Sequence, residues 1–506
     1  MSSVTQRVHS LGLQGIRGYG VTVECFATGG VHTRFDIVGL PDVAVKEARE
    51  RVRAAVKSNG FRFPNGRMIV NLAPADQKKG GTLYDLPIFL GVLAATDQLA
   101  GLPEDWAFIG ELSLGGALRP VCGALSMALA AAALGIRRLF LPAENAEEAA
   151  YAEHVEIIPV ETIASLMDML SGRAPIRPIK PSQPPEDDSA APDFSEVMGQ
   201  EDVKRALEVA VAGGHNILLS GPPGSGKSML AKRLPSIFPK MNNQELLETT
   251  MLHSVAGLTS RENPVISARP FRAPHHTISS AGLVGGGTNP KPGEISLAHN
   301  GILFLDELPE FSAHTLDLLR QPLEDGDVTI SRVSGSVSYP SRFTLVGAMN
   351  PCKCGWYGHP SGRCTCSETA VRSYQQKLSG PLLDRMDIFM NVRSVEYTDL
   401  HGAGSAEPSA AIRRRVEAAR ALQQKRTQHS GFQLNSQLSG ALLRESCRLD
   451  SAGEAMLRAA FERLGLTARS HDKVLRVART IADLDGSDAI GVSHLAEALQ
   501  YRVRLL

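Results

Sequence analysis

The spacing of hydrophobic positions changes character twice along the chain. Over residues 1–170, strand-like runs alternate with helix-like ones. Residues 21–28, 35–40, 67–74 and 107–114 predict strands, and 138–145 opens with a further apolar run. Residues 44–60 predict an amphipathic helix stopped at Gly60, and 83–98 a second helix. Residues 121–136 predict a buried Ala-rich helix. Over 195–400 the alternation continues around three apolar strands at 215–222, 301–308 and 343–351. From 409 to 506 every periodic segment is helical. This order predicts an α/β class with a helical C-terminal part.

Two stretches interrupt the pattern. Residues 171–194 contain six prolines and few large apolar side chains, the composition of an extended spacer. Residues 401–408 form a weaker break. The predicted organisation is therefore 1–170, a linker at 171–194, 195–400 with a Cys-rich insert at 350–367, and 409–506. The length of 506 residues suits two to four domains at about 150 residues each.

Charge narrows the partners. Lys plus Arg number 53 and Asp plus Glu 53, so a protein that coats nucleic acid through bulk charge is excluded, and any such contact must be local. The apolar run at 121–136 is shorter than the roughly 18–20 residues of a membrane span, and the first residues lack a secretory pattern, so a cytoplasmic protein without membrane partners is expected. The odd count of seven cysteines argues against a disulfide framework.

The most specific chemistry lies at 221–228, GPPGSGKS, after an apolar strand and before a helical segment. In that context Gly221, Pro222, Pro223, Gly224, Ser225 and Gly226 predict a loop whose N–H groups face phosphates at a helix N-terminus. Lys227 is expected on the β/γ-phosphates of ATP and Ser228 on Mg²⁺. A second strand ends in Asp306 and Glu307; a carboxylate at the mouth of a buried strand needs a cation, so Asp306 is expected on Mg²⁺ and Glu307 on the attacking water. A third strand ends at Asn350, whose amide suits the lytic water or γ-phosphate.

Cys352, Cys354, Cys364 and Cys366 crowd just beyond Asn350. Two C-x-C pairs offer four thiolates to a tetrahedral Zn²⁺, with His359 as a substitute ligand and a metal-free reduced loop as the other reading. The helix at 412–427 carries Arg413, Arg414, Arg415, Arg420, Lys425 and Arg426, a run that predicts a solvated face.

Longer stretches carry a family resemblance: FRAPHHTISSAGLVGGG, PGEISLAHNGILFLDELPEF, AMNPCKCGWYGHP, SGPLLDRMDIFMNV and LRVARTIADLDG. They resemble the YifB/ComM family of magnesium-chelatase-like AAA+ ATPases, competence-associated and thought to be DNA helicases. The resemblance implies an AAA+ core with a helical lid, a hexameric ring and ATP at subunit interfaces. It implies that Arg385 is an arginine finger, the other reading being an ion pair with Asp384 or Asp387. Arg469 would be the sensor-2 arginine, with Arg476 the alternative. Residues 198–200 would pack against adenine. The stretch 269–293, with Arg269, Arg272, His275, His276 and Lys291, resembles a pore insert. The stretch 327–340 resembles a pre-sensor hairpin, with Arg332 and Arg342 as its basic residues. Such loops would hold DNA phosphates without reading bases.

PADQKKGGTLYDLPI, GELSLGGALRPVCGALSMALAAA and IRRLFLPAEN resemble the Lon-protease domain, an S5 domain 2-like α/β fold. Thr82 aligns with the Ser nucleophile and Met127 with the Lys base. Met cannot take a proton, so an inert protease fold is expected, with Lys78 and Lys79 as candidates for a displaced base. The function implied is an ATP-driven DNA motor for helicase or branch-migration work in recombination and natural transformation, alongside recombination proteins. The alternative is a chelatase-type remodeller that does not bind DNA.

Overall fold

The computed structural model describes all residues except 1–4, 30–32, 183–191, 288–289, 333–334, 395–405, 429–433 and 503–506. The first sheet has seven strands, in the order Arg34–Val38, Gly66–Ala73, Arg17–Gly29, Gln6–Gln14, Trp106–Phe108, Arg138–Pro142 and Glu156–Val160. It is mixed: Gln6–Gln14 runs antiparallel to Arg17–Gly29 and parallel to Trp106–Phe108. The helix Val43–Ser58 starts where Asp42 accepts the Val45 N–H at 2.8 Å, and buries Val45, Ala48, Val52, Ala55 and Val56.

The single strand expected at 107–114 is broken. Beyond Phe108 the backbone turns to the helix Asp85–Ala95: Gly110 N–H donates to the Leu83 carbonyl, and Leu86 N–H to that of Gly110. Only Glu111–Leu112 resumes as strand, in a separate ribbon with Leu118–Arg119. The Pro-rich stretch is not all spacer either. Ile179 N–H donates to the Ile157 carbonyl at 2.9 Å, and Phe194 is buried in the next core.

The second sheet is parallel, in the order Phe271–Arg272, Ile302–Leu305, Thr344–Met349, Ile217–Ser220, Ile388–Asn391. Its strands read as unbroken apolar runs because both faces are covered. Ile217, Leu219, Ile302, Phe304, Val346 and Ala348 enter one core; Leu218, Leu303, Leu305, Leu345 and Met349 enter the other. The first of these cores also takes in Val416, Val474 and Ile481, so the C-terminal helices Ser409–Thr427 and Ala468–Leu484 share it with the sheet. Among the described residues no helix is long and apolar enough to cross a membrane.

The arginine-rich helix departs from expectation. Arg413 donates to the Ser236 carbonyl, Arg415 pairs with Glu208 and Glu407, and Arg426 pairs with Asp483. Arg420 donates to the Val211 carbonyl and lies over the Phe238 ring. Only Arg414 and Lys425 of this group are exposed. The long side chains reach from the helix flank onto the preceding helix and loop, which periodicity alone does not reveal.

Asp387 fastens this helical layer to the sheet. It accepts the Asn216 N–H at 3.0 Å and meets Lys473 at 2.8 Å and His215 at 3.8 Å. Burial opposes its charge, but Lys473 and His215 outweigh that and hold the carboxyl well below the usual range. Removing one partner of a buried pair strands the other. Lys473→Met is therefore expected to lower unfolding free energy, measured with urea, by about 3–5 kcal/mol near neutral pH. Because the native carboxyl pKa is depressed, the difference should narrow as pH falls below about 4. A loss under about 1 kcal/mol would show the pair to be dispensable.

Candidate functional site

Three parallel strands bring their carboxyl ends to one edge of the sheet, where open α/β sheets collect ligands. Ser220 is in register with Met349, and Leu305 with Gly347. The chain then turns over residues 221–226 into the helix Lys227–Arg233, with Gly226 at φ +88°, a left-handed conformation that suits glycine. The Lys227 ammonium, nearly buried, donates to the Gly221 carbonyl at 2.7 Å, the Pro222 carbonyl at 2.9 Å and the Asn350 Oδ1 at 3.2 Å. Burial pulls its pKa below the usual lysine value, with Asp306 acting in the opposite sense. Ser228 Oγ donates to Asp306 Oδ2 at 2.5 Å, and Glu307 N–H donates to Asp306 Oδ1 at 2.9 Å. Lys227 thus meets Asn350, and Ser228 meets Asp306. An ammonium beside a hydroxyl–carboxylate pair, at the N-terminus of a helix, has the chemistry to take a polyphosphate and a hard divalent cation.

Glu307 occupies φ +50°, uncommon for a residue with a Cβ. Such backbone costs on the order of 1–3 kcal/mol and gathers at functional sites. Its side chain is 59% exposed, and His276 Nδ1 stands 3.6 Å from Oε2. His276 in turn meets the edge of Phe311 and lies against His275. In the sequence His276 is one basic residue among several in the stretch 269–293. Its approach to Glu307 was missed, and the signal available was only its position after the edge strand Phe271–Arg272.

The arginines fall out differently. Arg385 meets Glu324 at 2.6 Å, donates to the Pro381 carbonyl, and is 11% exposed. Arg469, second in the helix Ala468–Leu484, meets the same Glu324 at 2.8 Å and is 56% exposed. Some burial works against charge on Glu324, yet Arg469 and Arg385 together hold it below the usual carboxylate value. Arg476 donates instead to the Leu438 carbonyl at 2.7 Å. Gln200, beside the phosphate loop, donates to the Ser225 carbonyl at 2.8 Å.

Of the predicted pore residues, two are committed internally. Arg269 pairs with Glu245, and Arg272 with Glu294 at 2.6 Å. Lys291 and Arg342 are exposed. The hairpin of Asp327–Arg332 and Gly335–Pro340 forms as expected; its tip at 333–334 and the Arg332 side chain lie outside the described residues. In the N-terminal part, Met127 is fully buried and Thr82 donates to Glu111. Lys79 is buried and donates to the Gln77 carbonyl at 2.8 Å, while Lys78 is exposed. The four clustered cysteines converge, with their sulfurs all within 4.8 Å of one another.

The chain matches three family models: residues 193–400 "Magnesium chelatase, subunit ChlI", residues 23–145 "Subunit ChlI of Mg-chelatase", and residues 406–502 "Magnesium chelatase, subunit ChlI C-terminal". It is 41% identical to YifB of Escherichia coli (strain K12), over 98% of this chain and 96% of that protein. It is 42% identical to the competence protein ComM of Haemophilus influenzae, over 99% and 98%. A magnesium-chelatase 38 kDa subunit of Cereibacter sphaeroides is 26% identical, over 62% of this chain and 92% of that one.

If His276 orients Glu307, His276→Ala should slow nucleotide hydrolysis by about 10- to 100-fold, the scale of a mispositioned reacting group. Nucleotide affinity, measured by calorimetry, should stay within about twofold. Unchanged turnover would show that the histidine does not orient the carboxylate.

Proposed function

The chain belongs to the YifB/ComM family of magnesium-chelatase-like proteins, and on that premise we propose that it is an AAA+ ATPase that works as a ring-shaped DNA motor. The observation that carries the reading is the meeting of Lys227, Ser228, Asp306 and Asn350 at three adjoining strand ends. On this reading backbone N–H groups of the non-proline residues in 221–226 cradle the phosphates of ATP, and Lys227 neutralises the β/γ-oxygens. Ser228 and Asp306 would hold Mg²⁺, which supplies charge neutralisation when bound. Glu307 orients and deprotonates the attacking water, and Asn350 steadies the γ-phosphate or that water.

The ring, proposed as a hexamer, explains Arg385 and Arg469. Both now rest on Glu324, so they share one surface of the protomer. We assign Arg385 to the γ-phosphate of an adjacent protomer, with release from Glu324 as the step that assembly drives, and Arg469 to the sensor-2 role. A guanidinium in that position is worth roughly 10³–10⁵ in rate in comparable NTPases. Among the described side chains of these two inserts, exposed Lys291 and Arg342 are placed to meet a DNA backbone, while Arg269 and Arg272 hold internal carboxylates.

The work proposed is strand separation or branch migration during recombination and natural transformation, in the cytoplasm and beside recombination proteins; support comes from the likeness to a protein named for competence. The N-terminal part is assigned a Lon-like fold without protease activity, because Thr82 meets a carboxylate and Met127 offers no base. The C-terminal helices are assigned as the lid.

ATP turnover with and without single-stranded and forked DNA tests the reading. DNA should stimulate hydrolysis severalfold, and Lys291→Ala should reduce that stimulation more than the basal rate. Indifference to DNA would favour the chelatase-type remodeller. Glu307→Gln should bind ATP and lower turnover by at least about 100-fold, the low end of general-base contributions. Full activity in that variant would contradict the assignment of the base.

A further inference from the structure

The cysteine loop is not required by the nucleotide chemistry, yet it lies against it. Cys352 and Cys354 follow Asn350 directly, and Gln375 Nε2 ties the loop's first turn down through the Pro351 carbonyl at 3.1 Å. Among the described residues these four cysteines are the one group gathered as metal ligands are. Sulfur separations are 3.3 Å for Cys352–Cys354, 3.9 Å for Cys352–Cys364 and 3.7 Å for Cys354–Cys364. A ZnS₄ tetrahedron with bonds of about 2.3 Å has edges of about 3.8 Å. Those three edges fit one tetrahedral ion, and with the Cys366 sulfur also within 4.8 Å of the others the group is too compact for an iron–sulfur cluster with bridging sulfides of its own.

Other features agree. His359 is engaged elsewhere, with Ser361 Oγ at 2.7 Å and Ser394 Oγ at 3.2 Å, so the donor set is four sulfurs. Arg363 lies over the Trp356 ring, which itself meets His359 edge-on, closing the loop's outer side. On the inner side Gly355, at φ +85°, lies so close to the phosphate loop that a Cβ there would come within 2.4 Å of Pro223 Cδ. The loop backbone is thus in direct contact with the nucleotide-binding loop.

We propose that Cys352, Cys354, Cys364 and Cys366 bind one zinc ion, and that the zinc-closed loop braces Pro223 so that zinc and nucleotide bind cooperatively. The first half stands on the sulfur geometry alone; the second rests on the nucleotide-site reading given above. Coupling between sites is reciprocal, so zinc should raise nucleotide affinity by the same factor by which nucleotide raises zinc affinity.

The test uses the purified full-length chain. Elemental analysis should find about one zinc per chain, and exchange with Co²⁺ should give the visible bands of a tetrahedral thiolate site. The double variant Cys364→Ser/Cys366→Ser should carry almost none and bind Mg·ATP about tenfold more weakly by calorimetry, within the usual range of coupling. Mg·ADP should slow zinc transfer from the wild-type chain to a chromogenic chelator. Gly355→Ala keeps every ligand, so it should retain zinc while weakening nucleotide binding. The double variant Cys122→Ser/Cys447→Ser should match wild type in both. Wild-type protein grown with ample zinc but containing none, or its four thiols found as two disulfides, would overturn the metal site. A metal-free variant with wild-type nucleotide affinity would overturn the brace while leaving the nucleotide site intact. Failure of wild-type protein to bind Mg·ATP would instead count against the nucleotide-site reading.

Discussion

The parallel register of three neighbouring strands is the constraint on which the site depends. Ser220 lies opposite Met349, and Gly347 opposite Leu305, so the residues that follow each strand emerge side by side. A one-residue slip would send Asn350 or Asp306 away from Lys227 and turn each strand's apolar set to the wrong core. Two hydrophobic layers enforce the register. In the three central strands Ile217–Ser220, Ile302–Leu305 and Thr344–Met349, apolar residues alternate between the two cores, and neither face could accept the other's side chains without cavities or overlap.

The remaining parts are arranged around that sheet so that several can influence its carboxyl edge. The edge strand Phe271–Arg272 leads to His276 at Glu307. The strand Thr344–Met349 leads through Asn350 into the cysteine loop and back to Pro223. The strand Ile388–Asn391 is preceded by Arg385 and Asp387, one meeting Glu324 and the other holding the C-terminal helices through Lys473. The N-terminal part joins through a buried contact: Glu148 accepts Leu125 N–H at 2.9 Å and Thr259 Oγ1 at 3.0 Å, and it also meets Ser254. Burial pushes the Glu148 carboxyl above its usual value, with those hydrogen bonds opposing the shift.

Legibility in the sequence followed the range of the interaction. The meeting of Lys227 with Asn350 and of Ser228 with Asp306 was readable because each lies in a short motif at the end of an apolar run. Most helices and strands were readable from periodicity for the same reason. The break after Phe108 was not, because the competing hydrogen bonds come from Leu83 and Leu86. Nor was the pairing of Arg413, Arg415, Arg420 and Arg426, whose partners lie far along the chain. The shared hold of Arg385 and Arg469 on Glu324 joins three distant segments and leaves no local signature. Four cysteines within fifteen residues suggested a metal, but only the folded loop shows that its backbone rests on Pro223.

The central claim is that the three strand ends form a Mg·ATP site. Calorimetric titration of the wild-type chain and of Lys227→Ala with ATP, each with and without Mg²⁺, tests it most directly. The account predicts saturable, Mg²⁺-dependent binding by the wild type and a loss of at least about 2.7 kcal/mol in the variant, a hundredfold in affinity. Equal affinities in the two proteins, or binding indifferent to Mg²⁺, would contradict it.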